Sequence, residues 1–140
     1  MGMILTAGKY SIMQRNSLQK PLVFCNPDKE FINAAISINI ELAKRLVAIN
    51  QNRRTMRMEQ CFQQVLNDLP DKVVIKDFDV MFNPEYKIDV LRIMISSAKI
   101  KPFSIIWPGC FEDGKLIYAE EGFADHKVFD ISQYDITCII

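Results

Sequence analysis

Two acids, Asp77 and Asp79, close an apolar run in the stretch Lys72 to Phe82, KVVIKDFDVMF. Val73, Val74 and Ile75 lead into them, and Val80, Met81 and Phe82 resume the apolar character. The pattern predicts a buried strand whose carboxyl end delivers carboxylates to the edge where ligands sit in an open α/β sheet. In a nucleoside-triphosphatase such a strand is the Walker B element, and its acid holds the magnesium. Asp77 is therefore the candidate metal ligand, and Asp77 and Asp79 are the candidate catalytic pair. In one continuous strand they would point to opposite faces, so they converge only if the strand ends at Asp77.

A Walker B acid needs a phosphate loop of the form G-x-x-x-x-G-K-[ST], whose backbone amides wrap the phosphates. Gly8-Lys9 comes nearest, but Gly2 lies one residue too far upstream and Tyr10 replaces the hydroxyl residue. The short stretch before it also leaves no room for a strand. After the apolar run Leu22 to Cys25, where a cradle would belong, the chain reads Asn26-Pro27-Asp28 without glycine. Asp28 is placed to cap a following helix, and with Glu30 it opposes an anion. Lys9 and Lys29 are left as irregular phosphate contacts. No cofactor is expected on this reading, and ATP with magnesium enters only if Asp77 works without a standard loop.

Arg53, Arg54 and Arg57 form the sharpest basic feature, three arginines within five residues at a helix start. They are candidates to contact phosphate, nucleic acid or an acidic partner. Lys plus Arg equals Asp plus Glu at 17 each, so no global field draws the chain to DNA or an anionic membrane, and neither is expected as a partner. Trp107, before Pro108-Gly109, is a core or interface anchor. The cysteines, Cys25, Cys61, Cys110 and Cys138, are scattered and His126 is the lone histidine, which argues against a zinc site. A Cys110–His126 thiol pair is the remaining nucleophilic option. Met1 to Tyr10 lacks the basic start and apolar core of a secretory signal, and no apolar run is long enough to span a membrane. A cytoplasmic protein with reduced thiols is expected.

The elements around these residues predict one α/β domain over residues 1–140 with a mainly parallel sheet. Leu22 to Cys25, Val73 to Lys76 and Phe103 to Ile106 are short apolar runs separated by helical periods. From Lys29 to Asn50 apolar residues recur at three and four, with Ser37 to Ile40 (SINI) open to a short strand before a helix from about Glu41. A second helix follows Arg57 as far as Leu69. Asn83-Pro84 predicts a cap and first turn for a third, with Ile88, Leu91, Ile95 and Ala98 as its buried stripe. The tail, with turns at Asp113-Gly114 and Glu120-Glu121-Gly122, predicts a small antiparallel addition at the sheet edge. Its last run, Ile136 to Ile140, is either tucked against its own sheet or free to pair with a second copy.

Taken together, Ile38 to Leu46 (INIELAKRL), Arg53 and Arg54, the strand through Phe82, Pro84 to Leu91 (PEYKIDVL), Ile106 to Gly109 (IWPG), Leu116 to Ala119 (LIYA) and the DHK segment from Asp125 resemble BrxF. BrxF is the small P-loop protein family of the bacterial bacteriophage exclusion (BREX) defence systems. The resemblance covers roughly residues 36 to 130. It implies a Walker-type α/β fold of the P-loop NTPase kind, Asp77 at the Walker B position, and partners within an antiviral defence system. The missing Gly-Lys-Thr motif departs from that pattern. The expectation is a non-hydrolysing, NTPase-like adaptor or regulatory subunit acting through other defence-system proteins or a second copy of itself. The alternatives are a divergent ATPase using Asp77, and a nucleic-acid-binding accessory protein using the Arg53, Arg54 and Arg57 patch.

Overall fold

Apolar segments of three or so residues, too short to bury themselves, pair side by side in the computed structural model, which describes residues 2–6 and 21–140. Met3–Leu5 (β1), Leu22–Phe24 (β2), Ile36–Ser37 (β3), Val74–Lys76 (β4), Ser104–Ile106 (β5) and Thr137–Ile139 (β9) make one sheet in the order β1-β9-β2-β5-β4-β3. Every pairing within it is parallel. Strands β2 and β9 are buried along their whole length, as parallel strands covered on both faces must be. The strands expected at Leu22, Val73 and Phe103 are present and adjacent.

Helices Lys29–Ala34 (α1), Asn39–Val47 (α2), Arg54–Asn67 (α3) and Val90–Ile100 (α4) cover the sheet. The chain crosses from β2 to β3 in one direction and then steps back through β4, β5 and β9. Right-handed crossovers then put α1 on one face and α2 to α4 on the other. The core divides accordingly. Leu5, Leu22, Phe24, Ile106 and Ile139 meet Phe31, Ile32 and Ala35 of the α1 segment, while Val23, Ile75, Ile105 and Cys138 belong to the larger cluster with Leu42, Phe62 and Leu91. The direction reverses between neighbours β2 and β5, which makes their carboxyl edge a switch-point crevice.

A second, antiparallel sheet, Cys110–Glu112 (β6), Lys115–Tyr118 (β7) and Lys127–Asp130 (β8), stands apart rather than extending the first sheet's edge. Its buried residues Leu116, Tyr118 and Phe129 join the larger cluster. Trp107 ties the two sheets, its Nε1 donating to the Ile117 carbonyl at 3.0 Å.

Several local expectations change. The strand at the central acids stops at Lys76, because Asp77 takes a left-handed backbone (φ 52°), and Asp79–Phe82 is a 3₁₀ turn rather than more strand. Asn83 caps only a 3₁₀ turn, Pro84–Tyr86. Lys87 (φ 50°) breaks the path, leaving Ile88 outside the third expected helix, which begins at Val90 under an Asp89 cap. The short strand is Ile36–Ser37, reaching SINI only at Ser37, and the helix after it already starts at Asn39. A strand does precede Gly8-Lys9, contrary to expectation, although Gly8 and Lys9 themselves lie outside the described residues. The C-terminal run stays with its own sheet rather than at a free edge, and goes deeper than a tucked tail: β9 is inserted between β1 and β2.

Three helix ends are closed by long cations, which satisfy carbonyls that helices leave unpaired. Lys76 Nζ donates to the Ile32 carbonyl at 2.8 Å, and Lys101 Nζ donates to Leu66 and Leu69 at 2.8 and 2.6 Å. Arg54 Nε donates to Leu46 at 2.8 Å and Ile49 at 3.2 Å. Among the described residues no helix is long and apolar enough to cross a membrane.

Candidate functional site

The carboxyl ends of β3 and β4, parallel neighbours, bring Ser37 and Asn39 beside Asp77 and Asp79. Ile36 pairs with Ile75 and Ser37 with Lys76, so the next residues emerge at one edge. Ser37 Oγ donates to Asp77 Oδ2. The left-handed turn at Asp77 then carries the chain to Asp79, whose carboxylate accepts from Asn39 Nδ2 at 3.3 Å and from the Tyr118 hydroxyl at 2.9 Å. Asn39 Oδ1 accepts from the Val80 backbone N–H at 3.0 Å, which fixes the amide's orientation.

Tyr118 is buried and stacked on Phe82 with ring centroids 3.8 Å apart. Burial, reinforced by its hydrogen bond to Asp79, holds its hydroxyl far above the usual phenol range. The neutral phenol therefore serves as a fixed donor to Asp79. Chemically the edge offers two exposed carboxylates, each already accepting from neighbours. Among the described residues no group of three or more His, Cys, Asp or Glu side chains could hold a metal ion.

On the far side of the crevice, β2 runs into Cys25-Asn26-Pro27-Asp28. Asp28 caps α1, its Oδ1 accepting from the Phe31 N–H at 2.8 Å. Lys29 follows it, exposed in the first turn of α1. The half-exposed thiol of Cys25 donates to the Val23 carbonyl at 3.7 Å. The neighbouring Cys25 thiol, together with burial, pushes the Cys138 thiol far above its ordinary range.

The remaining candidates are dispersed. Arg54 is half-buried and committed to the end of α2, so the expected trio reduces to Arg53 and Arg57, both exposed, with Arg57 reaching Gln60 Oε1 at 3.3 Å. Trp107 is 4% exposed and packs edge-on against Phe82 and Phe129, which makes it core rather than a partner contact. Cys110 and His126 are kept apart by β7, whose two interstrand spacings separate them by about 10 Å. His126 Nδ1 instead lies 3.3 Å from the Ala119 carbonyl.

Ser37, Asn39 and Tyr118 were not singled out by residue pattern. The readable signal was Asn39, directly after Ile36-Ser37-Ile38 and at a helix start, a position where a short polar side chain bonds backbone. No known protein family, no curated protein and no solved structure matches this chain.

Proposed function

We propose that this chain is a non-hydrolysing, NTPase-like adaptor or regulatory subunit of a bacterial anti-phage defence system, working through protein contacts. The resemblance to BrxF supplies the system and the Walker-type frame. The order β9-β2-β5-β4-β3, with one strand between the loop-bearing β2 and the acid-bearing β4, is compatible with such a core.

The observation that carries the proposal is the Asp28 cap. Phosphate transfer depends on positioning and on donors aimed at developing negative charge. Here the first turn after β2 spends its Phe31 N–H on a carboxylate, and Pro27 supplies no N–H at all. A phosphate would meet a negative charge where it needs amides.

The partner surface favoured is the start of α3. Met56 is 84% exposed between the exposed Arg53 and Arg57. An apolar side chain flanked by arginines is the composition of a protein interface rather than of a phosphate track. Calorimetric titration with magnesium-ATP tests the reading. The expected result is no saturable heat, and stoichiometric binding lost in Asp77→Ala would replace the adaptor with a divergent ATPase.

A further inference from the structure

Among the described residues the sheet ends at β1, and the register there assigns each backbone group. Met3 N–H donates to the Ile136 carbonyl and Ile140 N–H donates to the Leu5 carbonyl, both at 2.9 Å. Met3 and Leu5 therefore face β9, in register with Thr137 and Ile139. In a parallel ladder alternate residues face opposite sides, so the N–H and C=O of Ile4 both point away from the sheet. Among the described residues nothing pairs with that outer edge.

Edges of this kind are ordinarily blunted by lysine, proline or a bulge. Gly2 to Thr6 carries no charge and no proline. The side chains around the edge are apolar and open: Met3 is 37%, Ile4 44% and Ile140 41% exposed.

We propose that β1 is a homodimer interface in which Ile4 pairs with Ile4 of a second copy across a two-fold axis. A single residue presenting both a donor and an acceptor is its own complement. Two antiparallel copies exchange both N–H···O=C bonds at that one position, the isologous arrangement a two-fold requires. The chain's balanced charge, 17 basic against 17 acidic residues, puts no net repulsion between copies. Pairing would join two six-stranded sheets edge to edge and cover Met3 and Ile4.

Sedimentation equilibrium of the full chain and of Ile4→Pro tests this. Proline removes only the outward N–H and is tolerated on an edge strand, so the ladder to β9 stays intact. The wild-type chain is expected at twice the monomer mass and Ile4→Pro at the monomer mass. A wild-type monomer, or an Ile4→Pro dimer, overturns the proposal. A second variant avoids dependence on how Ile4→Pro folds. Ile4→Cys in a Cys110→Ser background places two thiols on the axis, where hydrogen-bonded antiparallel partners have Cα atoms about 5.5 Å apart, within disulfide reach. Copper-phenanthroline oxidation is expected to convert it to a covalent dimer while Val128→Cys in the same background stays monomeric. Failure of Ile4→Cys to cross-link sinks the two-fold pairing.

Discussion

Ser37, the last residue of an edge strand, donates its hydroxyl hydrogen to Asp77, forty residues further along the chain. The bond ties the carboxyl ends of β3 and β4 where the backbone of Asp77 turns left-handed. Asp tolerates that region better than most residues, because its short polar side chain can bond locally. Ser37→Ala removes a hydrogen bond to a charged acceptor at an exposed site, and a loss of about 1 kcal/mol is expected. Asp77→Asn, which keeps an acceptor and a tolerated backbone, is expected to lose less. Urea unfolding of both variants decides whether this contact or the turn itself matters more.

Arg54 is expected to behave as a helix cap. Arg54→Ala leaves the Leu46 and Ile49 carbonyls without their donor and should cost about 1–2 kcal/mol, seen as a lower urea midpoint. Arg53→Ala, exposed beside it, is expected to leave stability unchanged.

Trp107→Ala should fail as a protein, not merely as a binder. Its ring fills the space between Phe82 and Phe129 and its N–H satisfies Ile117, so a loss of about 3–5 kcal/mol is expected in thermal or chemical unfolding. A Trp107→Ala chain as stable as wild type would show that the ring is dispensable to the core.

Alkali should unfold the protein earlier than its lysines alone would suggest. Burial and the hydrogen bond to Asp89 push Tyr134 up to about 12 from its ordinary value near 10. The folded state keeps that proton while the unfolded state releases it, so this contribution is complete below about pH 10 and is lost as pH rises towards about 12. Tyr118 adds the same sign. Tyr134→Phe is expected to flatten the fall in unfolding free energy between pH 10 and 12, and an unchanged slope would assign it elsewhere.

The parallel sheet was legible because Leu22 to Phe24, Val73 to Ile75 and Ile105 to Ile106 are uninterrupted apolar runs, the mark of strands covered on both faces. The edge cluster was half legible. Asp77 and Asp79 stood out by type, but Ser37, Asn39 and Tyr118 reach them only through strand register and a packed second sheet, which local pattern does not encode. Arg54 was misleading for a related reason: an arginine among arginines looks solvated, whereas its role is set by two carbonyls of the preceding helix end. The last strand, β9, reads as a tail because sequence position says nothing of where in a sheet a strand inserts.

Steady-state ATP turnover by the purified chain with magnesium, compared with Asp77→Ala, tests the proposed function most directly. The Asp28 cap and the Ser37-bound Asp77 lead to no turnover above the protein-free rate and no difference between the two chains. Magnesium-dependent hydrolysis by the wild type that disappears in Asp77→Ala would contradict it.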